Sequence, residues 1–217
     1  MSSGTTTGRQ RMIRDLRQRG IGDPRVLEAM GEVLRERFVE EALAGKAYSD
    51  VSLPIGNKQT ISQPMIVARM CELAGPDGDG KVLEIGTGSG YHAAVLAHLF
   101  RRIYSVERLP ELSARARRTL RELQIENVHF KIFDGSYGWS EFAPYCAIVV
   151  TAAVPEIPQP LLEQLEENGR LVAPIGDAAG RDEQTLIRLT RRGETFEREE
   201  HGACRFVPLV GRYGWNP

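Results

Sequence analysis

The chain has 217 residues, 41% hydrophobic and 26% charged, with 28 Lys and Arg against 29 Asp and Glu. That length can bury a full core without staples, and the balance excludes collagen-like, fibrous and intrinsically disordered classes. A net charge of −1 argues against a protein held on nucleic acid by bulk charge, leaving only a local basic patch for such a role. Of the cations, 24 are Arg and four are Lys, a skew we read as a habit of the lineage. Cys71, Cys146 and Cys204 are odd in number, widely spaced and without a CxxC pair. They indicate neither a disulfide framework nor a Cys-based zinc site, and they fit small core residues in a reducing compartment. No apolar run approaches the roughly 18–20 residues that span a bilayer. Met1 to Gly8 is rich in Ser, Thr and Gly without an apolar stretch, which predicts a flexible leader rather than a signal peptide.

Met12, Ile13 and Leu16 share one helical stripe, which Gly20 ends. Asp23-Pro24 reads as an N-cap with Pro at the first helical position, followed by Val26, Leu27, Met30, Val33 and Leu34 at helical spacing. Phe38, Val39 and Leu43 suggest a further short turn. Residues 45–61 lack periodicity and predict a long ordered loop or a short hairpin, a length that is often functional. Ser62-Gln63-Pro64 opens a helix with Ile66, Val67, Met70, Leu73 and Ala74 on its apolar face, closed by the turn 75–80. Strand and helix then alternate. Strands are expected at Lys81–Ile85, Ile103–Val106, Val128–Phe133, Ala147–Val150 and Arg170–Ile175. Helices are expected at Tyr91–Phe100, Pro110–Leu123 and Pro160–Leu165. Thr185–Thr190 and Glu194–Glu199 read as a late antiparallel pair, and the order of the last two strands stays open. This alternation predicts an α/β fold, an open and mostly parallel sheet with helices on both faces.

The strongest local signal is Val82-Leu83-Glu84-Ile85-Gly86-Thr87-Gly88-Ser89-Gly90, a buried strand running through a glycine-rich turn into a helix. A dinucleotide fingerprint needs G-x-G-x-x-G, but Tyr91 stands where the third glycine would fall; the Gly-Lys-Ser/Thr of a P-loop is also absent. Glu84, two positions before the first glycine, would repel a pyrophosphate and suits a ligand bearing an ammonium or sulfonium. Glu107 ends the second strand, where a carboxylate can accept both ribose hydroxyls. Asp134, followed by Gly135, ends the third, where a carboxylate can accept from an adenine amino group. Each acid alone could be a solvated strand end. Together, at successive strand termini, they point to S-adenosyl-L-methionine as cofactor and S-adenosyl-L-homocysteine as product.

The acceptor is narrowed by what is missing. The polar-Pro-Pro-aromatic motif of base methylation is replaced by Thr151-Ala152-Ala153-Val154-Pro155. His92, His98, His129 and His201 are scattered and read as surface or helix histidines, so no general base is indicated. An acceptor already ionised at pH 7, such as a carboxylate, needs none.

Residues 44–68 (AGKAYSDVSLPIGNKQTISQPMIVA), 82–98 (VLEIGTGSGYHAAVLAH), stretches within 143–176 and the tail RFVPLVG at 205–211 with Gly214-Trp215 resemble the protein-L-isoaspartate (D-aspartate) O-methyltransferase family. The likeness runs over about residues 9–215. It implies a Rossmann-like class I methyltransferase in which residues 1–8 form a leader and 9–217 one domain. Within that domain, 9–80 would form N-terminal helices and a substrate loop, 81–176 the adenosyl core and 177–217 the C-terminal strands. It further implies methyl transfer to the α-carboxylate of L-isoaspartyl residues in damaged proteins and peptides, followed by succinimide formation and partial return to aspartate. Ser62 matches the family's active-site serine and would orient the carboxylate; the alternative is a plain helix N-cap. Cofactor contacts are implied for Ile61, Ser62, Glu84, Gly86, Thr87, Gly88, Gly90, Glu107, Arg108, Asp134 and Gly135, and substrate contacts for Thr60, Ser62 and Val207. Val207 would offer backbone to an extended peptide; the alternative is a terminal edge strand covering the core. Tyr48 to Ile55 would form part of a lid. No metal, nucleic acid or membrane partner is implied, and the enzyme would be a cytoplasmic monomer. Cys146 replaces a usual Asp, Asn168-Gly169 a usual Gly-Gly and His92 a frequent Gln. The rivals are a methyltransferase for a small molecule or nucleic acid, and a cofactor-binding module without turnover.

Overall fold

A computed structural model describes residues 2–76, 78–176 and 183–215. Helix α1 (Ser2–Gln18) extends back through the segment expected as a flexible leader. Adding a turn to a helix already nucleated by the Met12 and Leu16 stripe costs far less than starting one; Met1 lies outside the described residues. Gly20 takes φ +94 beyond its end. In α2 (Pro24–Glu32) the Asp23 side chain accepts from the Arg25 N–H, the cap read from the sequence. Two 3₁₀ turns, Arg35–Phe38 and Glu41–Lys46, lead into a hairpin of β1 (Leu53–Gly56) and β2 (Gln59–Ile61), resolving the loop-or-hairpin choice.

Helix α3 (Pro64–Ala74) ends at Gly75, which takes a left-handed conformation. The alternating core follows: β3 (Lys81–Ile85), α4 (Tyr91–Leu99), β4 (Arg102–Glu107), α5 (Pro110–Glu122), β5 (Val128–Ile132), β6 (Tyr145–Val150), α6 (Gln159–Glu163), β7 (Leu165–Ile175), β8 (Gln184–Arg192) and β9 (Thr195–Cys204). The large sheet runs β5-β4-β3-β6-β7-β8-β9, parallel from β5 to β7 and antiparallel thereafter. The two late strands therefore lie at the edge in chain order. Strand β7 starts five residues earlier than expected because Leu165 pairs with Tyr145 before a register shift. Asn168 sits near it at φ 62, a conformation that Asn tolerates better than most residues, so the departure from Gly-Gly is accommodated.

Strand periodicity divides the core. Val82, Ile103, Ala147 and Val172 face α2 to α5, whereas Leu83, Ile85, Tyr104, Ile148 and Leu171 face the opposite layer. That second layer is thin, built from α6, two short 3₁₀ turns and the Tyr104, Trp139 and Phe142 rings. Strand order reverses at β3, between β4 and β6, and crevices at such switch points take ligands.

Candidate active site

The carboxyl ends of β3, β4 and β6 border two hollows. One, about 70 Å³, is lined by Gly86, Gly88, Glu107, Arg108 and Gly135 among others. The other, about 550 Å³, is lined by Ser52, Ser62, Gln63, Ile66, Arg205 and Phe206 among others. Thr60, Thr151, Val207 and Pro208 line both, so they form two lobes of one cleft. The first lobe falls below the roughly 300–1,000 Å³ of a typical ligand pocket, whereas the second lies within it.

The glycine-rich turn is held in a shape that side chains resist. Gly86 takes φ +97, and a Cβ there would lie 2.5 Å from Thr151 Oγ1, whose hydroxyl donates to the Gly86 carbonyl at 2.6 Å. Gly88 takes φ +53 and donates its N–H to Glu107 Oε2 at 2.9 Å. Glu107 Oε1 accepts from the Leu109 N–H at 3.0 Å. Two backbone donors thus fix the carboxylate at the first lobe, and its remaining lone pairs suit a pair of hydroxyls. Gly90 plays another part: a Cβ would lie 2.9 Å from Leu120 Cδ1 and 3.0 Å from Ala116 Cβ, so it serves close packing of α4 on α5 and is absent from the cleft lining.

Several expected cofactor contacts lie behind the wall. Strand alternation turns Glu84 away from the first lobe into the helix-facing core, where it is fully buried. Its Oε2 accepts from Ser105 Oγ at 2.5 Å, and its Oε1 has no hydrogen-bond partner among the described residues. Burial, reinforced by the charge of Glu107 and opposed by the Ser105 hydrogen bond, pushes its carboxyl up to about 8. Thr87 Oγ1 lies 2.5 Å from the same Ser105 hydroxyl, and Thr87 is buried too. Ile61, the last residue of β2 in the hairpin, is buried as well. Asp134 is committed elsewhere: Oδ1 accepts from the Ser136 N–H at 2.9 Å and Oδ2 from the Arg212 N–H at 2.8 Å. Gly135 and Arg108 line the first lobe.

Ser62 lies in the second lobe, half-buried, and it is not the cap of α3. Gln63 occupies the cap position without a side-chain bond, and Asp50 Oδ1 accepts the Met65 N–H at 2.9 Å. The Ser62 carbonyl accepts from Arg35 Nη2 at 2.9 Å. Arg35, fully buried, also donates to the Val51 carbonyl at 3.2 Å and to the Ala47 carbonyl. One guanidinium therefore pins the 47–62 segment, including most of the expected lid. Sequence reasoning missed it, because one Arg among 24 carries no local signal. It also missed Thr151 at the junction and Gln184, whose Oε1 accepts the Phe206 N–H at 2.7 Å and steadies the tail. Val207 gives its carbonyl to the Ala153 N–H at 2.8 Å and Leu209 donates to the Ala153 carbonyl at 2.8 Å, so the tail lies along the segment that follows β6.

His92 is a helix histidine, buried on α4, with Nε2 3.3 Å from Cys71 Sγ. Burial pulls it down to about 4, so it is neutral at pH 7. Cys146 donates its thiol to the Lys81 carbonyl at 3.2 Å, away from the cleft. Among the described residues, no group of three or more His, Cys, Asp or Glu could hold a metal ion, and no helix is long and apolar enough to cross a membrane.

The first lobe fits an adenosyl sulfonium ligand in its chemistry. It offers a fixed carboxylate for hydroxyls, a wall lined by the backbone of Gly86, Gly88 and Gly135, and a buried, partly unsatisfied carboxyl beneath the turn.

The sequence profile of the protein-L-isoaspartate(D-aspartate) O-methyltransferase family matches residues 7–214. A protein-L-isoaspartate O-methyltransferase of Syntrophotalea carbinolica is 55% identical over 200 residues, 92% of this chain and 91% of the relative. One from Syntrophus aciditrophicus is 51% identical over 212 residues, 96% of each chain. Among solved structures, a protein-L-isoaspartate O-methyltransferase superposes with a TM-score of 0.86 at 32% identity, covering 95% of this chain and 67% of that one. A Plasmodium falciparum protein described as a putative member, in complex with S-adenosyl-L-homocysteine, shares the fold at TM-score 0.77 and 24% identity, covering 92% and 96%.

Proposed function

The chain belongs to the protein-L-isoaspartate(D-aspartate) O-methyltransferase family, and from that premise we propose how its cleft works. The enzyme methylates the α-carboxylate of L-isoaspartyl residues in damaged proteins and peptides, using S-adenosylmethionine. The observation that carries the assignment of roles is the shared wall. A lobe bearing Glu107, Gly86 and Gly88 meets a lobe bearing Ser62 at Thr60, Thr151, Val207 and Pro208. In this reading the first lobe holds the cofactor and the second the peptide.

Bound there, S-adenosylmethionine supplies a methyl group on a cationic sulfur, an electrophile that an anion can attack directly. The protein's work is then positional. Glu107 holds the ribose hydroxyls, and Gly86, Gly88 and Gly135 let the backbone close on the ligand. Asp134 stays the candidate for the adenine amino group through the one acceptor position left on Oδ2, Oδ1 being filled by the Ser136 N–H and hydroxyl. The Ser62 hydroxyl makes no hydrogen bond among the described residues, so it is available to a carboxylate oxygen. It donates one bond and fixes the direction of approach. No proton needs to be removed, because a carboxylate is ionised at pH 7. Thr60 borders both ligands, and the Val207 backbone receives an extended peptide whatever its side chains. Holding the two reactants in line and excluding water supplies the rate.

The same reading places the enzyme in the cytoplasm, as a monomer acting on proteins and peptides rather than nucleic acid. Three free thiols support a reducing compartment. The test of the acceptor chemistry is the lability of the product. Label transferred to an isoaspartyl peptide should leave as methanol in mild base. Label that survives base, as an N-methyl group would, contradicts a carboxylate acceptor.

A further inference from the structure

We infer that Ser105 is a positioning residue for the cofactor turn, joining Thr87 in that turn to the Glu84 carboxyl through one shared hydroxyl. The inference rests on the reading that this turn holds S-adenosylmethionine, and it assigns a role to a residue that touches no ligand. Ser105 points from β4 into the core beside β3, and it is fully buried. Its Oγ is 2.5 Å from Glu84 Oε2 and 2.5 Å from Thr87 Oγ1. These bonds tie the strand below the turn to the turn itself, between Gly86 and Gly88. Of the two side chains set between its glycines, Ser89 only accepts the nearby Tyr91 N–H at 3.3 Å, whereas Thr87 bonds to the strand below, so Thr87 is the turn's side-chain anchor.

A hydroxyl between two oxygens transmits direction as well as position. With Glu84 ionised, Ser105 must donate to the carboxylate and Thr87 must donate to Ser105. With Glu84 protonated on Oε2, the acid can donate to Ser105, Ser105 to Thr87, and the Thr87 proton is released to the turn. The charge state of a buried acid is thereby written into the hydrogen bonding of the turn. Around Glu84, the groups that bear on its charge are Cys71 of α3, Glu107 of β4 and the Ser105 hydroxyl; His92 of α4, neutral, lies against Cys71. No cation is among them, so a cationic ligand above the turn is the natural counter-charge.

The test measures S-adenosylmethionine and S-adenosylhomocysteine affinity by calorimetry between pH 6.5 and 9.5 on the full chain. Wild type should bind S-adenosylmethionine more tightly as Glu84 ionises. Ser105→Ala should weaken binding about tenfold and move the inflection to higher pH, because the hydroxyl favours the ionised form. Ser105→Cys keeps the shape but donates poorly, and it should behave like Ser105→Ala even if the alanine variant folds badly. Thr87→Val should lose affinity while keeping the wild-type inflection. Peptide KM should not move in any of the three. Ser105→Ala or Ser105→Cys with wild-type affinity and inflection overturns the inference alone. A wild type that binds neither nucleoside overturns the cofactor reading, and the inference with it.

Discussion

Replacing Glu84 with Gln should flatten a fall in stability that the wild-type chain shows between pH 6.5 and 8. The folded carboxyl is raised from its ordinary value of 4.5 to about 8, mainly by burial. Between those values the unfolded chain has lost the proton and the folded chain keeps it, so stability falls as pH rises. It is fully present below 4.5 and gone above 8. His92, pulled by burial from 6.5 down to about 4, gives the opposite slope, but only below 6.5. His201, also pulled down by burial, acts in the same direction as His92, and both fade above 6.5, so Glu84 dominates the slope from 6.5 to 8. Each pH unit is worth about 1.4 kcal/mol, and allowing for partial ionisation near 8 the loss over the window is roughly 1–2 kcal/mol. For a domain of this size that is a fall of roughly 3–6 °C in Tm. The amide variant will be less stable overall, since its NH₂ meets the place where Oε1 has no partner, at a cost of about 1–3 kcal/mol. The slope, not the level, is the readout. Urea titrations at four pH values measure it. A wild type whose stability is flat across the window, or a Glu84→Gln variant that slopes as steeply, refutes the argument.

Ser62→Ala should lower kcat at least tenfold and leave S-adenosylhomocysteine affinity within a factor of two, because Ser62 lines only the peptide lobe; equal turnover would remove it from catalysis. Val207→Pro deletes an N–H that bonds nothing among the described residues, while the carbonyl that meets Ala153 remains. Peptide KM should rise several-fold with cofactor affinity unchanged, and an unmoved KM would take the tail out of peptide binding. Arg35→Lys should cost about 3 kcal/mol in urea unfolding despite keeping the charge, since an ammonium cannot reach three carbonyls set by a planar fork. A loss below 1 kcal/mol would mean that the 47–62 segment is held by other contacts.

The alternating half of the chain was legible because each element repeats one period and ends on punctuation. Lys81–Ile85 matches the expected strand to the residue, and Asp23 caps α2 with Pro24 at its first position, as the sequence reads. Boundaries slipped where tertiary pairing extends a strand, as when Leu165 reaches back to Tyr145 across a register shift. At the site, sequence order placed Glu107 and Gly86 well, since strand termini converge wherever a parallel sheet is built. It did not distinguish a residue facing the cleft from one facing the core. Glu84 and Ile85 are neighbours in sequence, yet Ile85 lines the first lobe and Glu84 lies behind it. Ser62 looked like a cap because a serine two residues before a helical Pro usually is one. Asp50, 15 residues from the Met65 N–H it binds, takes that work, and no local pattern announces it. Arg35 and Gln184 were invisible for the same reason: each acts on backbone far along the chain.

The central claim is selectivity for the abnormal linkage, and paired peptides test it most directly. Methyl transfer from labelled S-adenosylmethionine is measured on two synthetic peptides that differ only in L-isoaspartate or L-aspartate at one position. The account predicts base-labile label on the isoaspartyl peptide alone, saturable and inhibited by S-adenosylhomocysteine. Equal labelling of both peptides, or none of either by a chain that binds the cofactor, would contradict it.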